Sequence, residues 1–321
     1  MKLTSYITQK YASSSLIEYL SHRFTYLDRE EWRERIAGNQ VSVNDAPALP
    51  DVKLGTGDIV SYDFPDLPEP AADTNYSVIY EDEWLFAVNK PGNLLVHKAG
   101  RNITKNLVFL LRHASNNPVY ASAHAVSRLD RETSGIVLFA KDLQCLKKLH
   151  KEFAAKTVAK EYLAVVRNVP KEKEMKVDLA IGQDTASGVT YKFRVDAKNG
   201  KEAVTFVETL CAGESYSLVR AIPVTGRTHQ VRIHLAAIGC PVMGDKLYGM
   251  KESDYLAWRS DPEGHALLLE FPRQALHCRS LKFVHPVTNN EMFLKAAIPE
   301  DMLGLIEKYK FPTGQNDIIA C

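Results

Sequence analysis

Five apolar residues in succession, Ile136–Ala140, stand directly behind a charged loop, Arg128-Leu129-Asp130-Arg131-Glu132-Thr133-Ser134-Gly135. A run this short, with no polar residue on either face, reads as a buried strand. Thr133, Ser134 and Gly135 supply turn chemistry, so Asp130 falls on a loop leading into the sheet. More strands follow from the pattern. Ser77–Tyr80 and Trp84–Asn89 pair around Glu81-Asp82-Glu83, and residues 161–166, 203–208 and 215–224 add three more. Asp142 caps a helix with Leu143, Leu146, Leu149 and Phe153 on one side. A second helix over 229–238 starts after Thr228 as N-cap and stops at Gly239. Strands and helices that mix without strict alternation predict an α+β fold, with a large mixed, mainly antiparallel sheet flanked by helices.

The segment from Phe64 to Asp73 has three prolines and acidic residues but no apolar period, and reads as a linker. The chain therefore divides into a small module at 1–66, a linker at 67–75, a large domain at 76–310 and a tail at 311–321. In the module, Leu16, Ile17, Leu20 and Phe24 recur at helical spacing. A second short helix spans Asp28 to Ala37 and stops at Gly38. Strands are expected at Val41–Val43 and after the Gly55-Thr56-Gly57-Asp58 turn. At 321 residues, 45% hydrophobic and 25% charged, the chain is globular. No run is long enough to span a membrane, and the N-terminus has no secretory apolar core, so a cytoplasmic protein is expected. Five scattered cysteines without Cys-x-x-Cys signal neither a disulfide framework nor a zinc cluster.

Charge excludes little. Residues 1–72 hold 7 Lys+Arg against 11 Asp+Glu, a balance of −4, which leaves +5 on the remainder of a chain whose total is +1. A modestly basic body can still bind phosphates through a local patch.

Three segments could carry chemistry. A carboxylate between Arg128 and Arg131 should be held ionised, ready to act as a nucleophile or an electrostatic stabiliser; the competing reading is a salt-bridged turn. In Thr225-Gly226-Arg227-Thr228-His229-Gln230-Val231-Arg232, the fork of Arg227 could hold a phosphate or carboxylate, and His229 and Arg232 share a helix face; the competing reading is a capped helix with a solvated basic side. His229 and His234 are five apart, unsuited to a shared metal, and no His-Glu-x-x-His occurs, so no metal site is expected. Lys90-Pro91-Gly92 places one cation on a rigid turn. Tyr162 lies in a strand, where a phenol is more often core than catalytic. Walker, Gly-x-Gly-x-x-Gly and Gly-x-Ser-x-Gly motifs are missing.

In order, these segments resemble the RluA family of pseudouridine synthases over roughly residues 76–297. The likeness is carried by Ile79–Asp82 with Asn89–Gly92 and Val96-His97, by Ser127–Gly135 with Leu138–Lys141, and by Lys160-x-Tyr162-x-Ala164. Gly226–Arg232 with Gly239-x-Pro241-x-x-Gly244-Asp245 and Tyr248-Gly249 continues it, and Leu276-His277 with Phe283-x-His285-Pro286 closes it. More loosely, residues 14–62 are similar to the alpha-L RNA-binding module shared with ribosomal small-subunit proteins, through Ile36-x-Gly38-x-x-Val41-x-Val43-Asn44 and Leu54-x-x-Gly57-Asp58. The −4 charge of residues 1–72 implies a weak or auxiliary role for this module, with Arg23, Arg29, Arg33 and Arg35 forming a local basic face.

The resemblance implies an isomerase that turns uridine into pseudouridine in structured RNA, most of all large-subunit ribosomal RNA, with transfer RNA as the alternative. It implies a monomer that needs no cofactor, because bond order and redox state balance. Asp130 would be the nucleophile, Arg227 its ion-pair partner, and Tyr162 would stack on the target base. Arg128 would help fill the gap left by the extruded nucleotide. Lys90, His229 and Arg232 are assigned with it to RNA or substrate binding. Ser127 stands where the family has histidine, and His124, three residues earlier, is a candidate substitute. Two other classes stay open: a non-catalytic RNA-binding or ribosome-assembly factor, and a glycoside or nucleoside hydrolase using Glu132 as the second carboxylate.

Overall fold

The computed structural model describes residues 2–24, 26–63, 68–115 and 117–311. Residues 64–67 of the expected boundary and 312–321 of the expected tail lie outside the described residues. The chain forms two compact units. Residues 1–70 join with 98–104 in the first, and residues 71–97 join with 105 onward in the second.

In the first unit, β1 (Lys2–Tyr6), β2 (Val41–Val43), β3 (Ala46–Pro47) and β4 (Ile59–Asp63) form a sheet in the order β1-β4-β2-β3. Two helices, α1 (Leu16–Arg23) and α2 (Arg29–Ala37), begin with reciprocal capping boxes, Ser15 with Glu18 and Asp28 with Glu31. Each box satisfies two backbone donors that a helix start otherwise leaves open. Asn44 and Asp45 both take positive φ between β2 and β3, the two-residue turn that suits strand twist. Leu16, Leu20, Trp32, Ile36, Val60 and Tyr62 fill the core. The expected basic face is partly neutralised: Arg33 pairs with Glu30 at 2.6 Å, and Arg35 donates to Gln40.

The second unit is built on a ten-stranded sheet. Its strands are β5 (Ser77–Glu81), β6 (Leu85–Lys90), β7 (His124–Ala125), β8 (Ser134–Ala140), β9 (Ala159–Arg167) and β10 (Glu174–Asp178), followed by β13 (Val204–Ala212), β14 (Tyr216–Pro223), β15 (Leu276–Val284) and β16 (Glu291–Lys295). A separate hairpin pairs β11 (Ile181–Gln183) with β12 (Phe193–Val195). The main order is β10-β13-β14-β9-β15-β8-β6-β5, with β16 beside β15 and β7 beside β8. Among these ladders β15 with β8 is parallel and the others are antiparallel, so the sheet is mixed and mainly antiparallel, as the sequence predicts. Helices α3 (Leu107–Phe109), α4 (Leu143–Ala154), α5 (Gln230–Ala237), α6 (Glu252–Ser260) and α7 (Glu300–Lys308) complete the unit. Asp142 caps α4 by accepting from Gln144 and Cys145. Leu143 is an exception to the predicted face, being 57% exposed.

Strand β8 is buried along its whole length and lies at the centre of the core. One glycine lets β15 approach it. Gly135 has φ +111°, and a Cβ there would collide with the backbone of Cys278. Gly135→Ala should therefore cost on the order of 3 kcal/mol or more, read as a lower urea midpoint. A neutral result would mean that the β8–β15 contact is not as tight as described.

Candidate active site

The loop before β8 carries Asp130, and an arginine from α5 meets it. Arg232 Nη1 donates to Asp130 Oδ2 at 2.8 Å. The same guanidinium grips Asp245 with two bonds, Nε to Oδ2 at 2.7 Å and Nη2 to Oδ1 at 2.9 Å. Asp245 is fully buried, and Oδ1 also accepts from the backbone of Leu247 and Tyr248. Asp245 thus fixes the fork of Arg232, and Arg232 fixes Asp130. Burial is the largest single influence and pushes the Asp130 carboxyl upward, but Arg232 and the other groups around it together hold it below the usual carboxylate range.

This corrects two expectations. The partner of Asp130 is Arg232, not Arg227. Arg227 is exposed, and its Nε donates to the Glu202 carbonyl at 2.9 Å. The physical reason lies in the turn before α5. Buried Gln230 accepts from Arg227 N and Thr225 Oγ1 and donates to Val204 O and Thr205 Oγ1, which holds residues 225–227 in a turn of their own. Thr228 is not the N-cap either: α5 starts at Gln230, and His229 precedes it in the left-handed region. The second expectation was that the flanking arginines hold Asp130 ionised. Arg131 instead donates to Asn93 Oδ1 and Ala71 O, and Arg128 is exposed.

Lys90 does not present a cation to solvent. It is 0% exposed, and Nζ donates to the carbonyls of Pro91, Leu94 and Arg131. The Arg131 carbonyl belongs to the Asp130 loop, so Lys90 braces that loop from inside. Burial pushes its ammonium down to about 7. A lysine whose folded pKa is depressed penalises folding fully below that pKa, and the penalty is relieved as pH rises towards the unfolded value. Wild type should therefore gain stability relative to Lys90→Met between pH 7 and pH 10 in urea titrations. A constant difference across that range would contradict the assignment.

Tyr162 on β9 is 9% exposed and lies in register with Cys278 on β15. Burial, Cys278 and Asp130 together hold the phenol well above its ordinary pKa, so it is protonated at neutral pH. His229 brings Nε2 to 4.0 Å from Asp130 Oδ2. The structure thus gathers Asp130, Tyr162, His229 and Arg232, leaves Arg227 out, and holds Lys90 behind the Asp130 loop.

The far side of the loop is clamped by residues to which the sequence assigned no role. Glu132 accepts from Lys246 Nζ at 2.5 Å and from Gln274 N. Gln274 Nε2 donates to Thr133 Oγ1, and the Gln274 amide also helps hold Asp130 ionised. Arg273 donates to the Glu132 carbonyl and grips Asp301 on α7 with two bonds. Gly244-Asp245 and Tyr248-Gly249 were visible as motif pieces, but nothing in their spacing indicated what they bind. His124 does not substitute near Asp130. It pairs with Ala140 at the far end of β8, roughly 20 Å along the strand from Ser134. Among the described residues, no group of three or more His, Cys, Asp or Glu is placed to hold a metal ion, and no helix is long and apolar enough to cross a membrane.

Residues 85–237, which hold Asp130, Tyr162, His229 and Arg232, match the RNA pseudouridylate synthase family. The ribosomal large subunit pseudouridine synthase D of Zymomonas mobilis is 33% identical over 310 residues, covering 92% of this chain and 94% of that protein. The chain belongs to the RNA pseudouridine synthases of the RluA family. It is thus an isomerase acting on RNA. A Bacillus subtilis relative, named an uncharacterized RNA pseudouridine synthase, is 30% identical over 94% of this chain and 96% of its own length. The fold of this synthase is shared with human RNA pseudouridylate synthase domain containing 4, with a TM-score of 0.55 and 24% identity over 73% of this chain and 92% of that one.

Proposed function

We propose that this synthase modifies uridines in large-subunit ribosomal RNA, that Asp130 is the group acting on the target nucleotide, and that the nucleotide is turned out of its stack to reach it. The observation that carries the reading is the carboxylate of Asp130, kept ionised by Arg232 and placed beside a protonated tyrosine. Asp130, half-buried beside Arg232 and His229, would reach the sugar of a nucleotide only after its base leaves the helix, which costs a few kcal/mol. Tyr162 offers the aromatic face for the extruded uracil, and exposed Arg128 is available to the gap left behind. The choice of ribosomal RNA rests on relatives named for the large subunit in Zymomonas mobilis and Neisseria meningitidis. The N-terminal unit serves as an auxiliary RNA contact, and the protein acts as a cytoplasmic monomer without a cofactor.

Glu132 does not suit the hydrolase reading, because Lys246 and the Gln274 backbone occupy both of its oxygens. The test uses purified protein on transcripts of large-subunit ribosomal RNA and on unmodified transfer RNA. Pseudouridine in the ribosomal transcripts alone is expected. Product only in transfer RNA would move the substrate, and release of free uracil would replace isomerisation with hydrolysis.

A further inference from the structure

We propose that His229 is a catalytic hydrogen-bond donor whose Nε2–H holds a carbonyl oxygen of the uracil while the base is detached, and that Tyr248 fixes the imidazole tautomer that makes this possible. The proposal rests on the reading of Asp130 as the group acting on the target nucleotide.

His229 is not where a helix needs it. It takes φ 56° and ψ 18°, a left-handed conformation that a histidine adopts at a cost, and its side chain makes no cap to α5. What the conformation achieves is the placement of the ring. Nδ1 lies 2.8 Å from Tyr248 Oη, and the edge of Phe193 closes one side at 6.2 Å between centroids. Tyr248 in turn lies under the Arg232 guanidinium, 5.1 Å from its ring centre. The two side chains that reach towards Asp130 from the α5 end therefore share one tyrosine.

The tautomer follows from counting protons. Tyr248 Oη already accepts the Phe193 N–H at 3.2 Å. Its own proton has an acceptor in His229 Nδ1, which leaves a neutral ring protonated at Nε2. The opposite tautomer would leave the phenol proton without that acceptor and would aim the Nε2 lone pair at the Asp130 carboxylate. Nε2 is 4.0 Å from Asp130 Oδ2, too long for a hydrogen bond between them and compatible with a substrate atom alongside.

Neutrality is built in by the surroundings. The groups facing the ring are Arg232, Asp130, Asp245, Tyr248 and Phe193. Burial, with Arg232 second, pushes the imidazole down to about 4, against the pull of the two carboxylates. A charged ring would set a second cation against Asp130 beside Arg232, whereas a neutral donor leaves the carboxylate with that one ion pair.

The chemistry needs such a donor. When C1′–N1 breaks, the bonding pair stays with the uracil and spreads over its two carbonyl oxygens. A donor fixed beside that charge lowers the barrier without transferring its proton. As C5 bonds to C1′, the proton on C5 leaves and N1 gains one, so atoms and charge balance and His229 keeps Nε2–H throughout.

The test has two arms on the full chain. In the first, protein labelled with 15N-histidine is followed by long-range proton–nitrogen spectra from pH 5 to pH 8, with His229 assigned by its loss in His229→Gln. The expected result is the Nε2–H tautomer with no titration, and a shift towards a tautomer mixture in Tyr248→Phe. An Nδ1–H ring or an imidazolium in this range overturns the proposal. In the second arm, single-turnover conversion of a large-subunit ribosomal RNA transcript should slow by about 100-fold in His229→Leu, with RNA affinity unchanged. His229→Gln, which keeps an Nε2 donor, should recover at least about tenfold of that loss. Wild-type speed in His229→Leu overturns the proposal. If wild-type protein leaves the transcript unmodified, the substrate reading fails, and the tautomer arm alone decides the state of the ring.

Discussion

Asp130→Asn is expected to abolish pseudouridine formation, by at least about 10⁴-fold, while the protein stays folded and binds RNA. Asparagine has the shape of aspartate but no charge, so it can neither attack nor stabilise an electron-poor sugar carbon. The fold should tolerate it. Arg232 keeps both of its bonds to Asp245, so the buried guanidinium remains compensated. RNA affinity should also survive, because phosphate contacts dominate it and an ionised carboxylate has neither donor nor positive charge to offer a phosphate. Three readouts separate the possibilities: tritium release from RNA labelled at uridine C5, a thermal melt, and filter binding. Near-normal turnover would sink the nucleophile assignment. A collapsed melt would show that the carboxylate is structural.

The second large effect separates two arginines that lie five residues apart. Arg232→Met should lose activity and destabilise the fold by about 3–5 kcal/mol, because Asp245 would remain buried with no counter-charge. It should also let the Asp130 carboxyl rise, since burial would then act without its main opponent. Arg227→Met should leave stability within about 0.5 kcal/mol and change RNA affinity in place of the chemical step. Urea titrations and single-turnover assays on the pair decide the matter. If Arg227→Met lost the chemical step at unchanged affinity while Arg232→Met kept it, the ion-pair assignment here would be reversed.

These contrasts show what the sequence could and could not disclose. Local rules located the elements well where one residue decides the outcome: Asp142 capping α4, the apolar run of β8, the turn at Glu81-Asp82-Glu83. They missed β1, because Lys-Leu-Thr-Ser-Tyr is an edge strand with little apolar signal and is recognisable only once β4 lies beside it. Asp130 was legible from its motif, and so was its depressed pKa, but not the cause. Arg128 and Arg131 are its neighbours in sequence, while Arg232, 102 positions away, is its neighbour in space. The same limit explains Lys90. A lysine on a Pro-Gly turn reads as an exposed cation, and only the packed loop shows three carbonyls waiting for it. Arg227 and Arg232 both lie in one short motif, and choosing between them required the left-handed step at His229, which no propensity predicts.

The central claim is that this synthase modifies ribosomal RNA through Asp130. Its most direct test maps pseudouridine across total RNA from a deletion strain carrying nothing, the wild-type gene, or Asp130→Ala. The account predicts large-subunit sites that vanish on deletion, return with wild type and stay missing with Asp130→Ala. Sites restored by Asp130→Ala, or identical maps in all three strains, would contradict it.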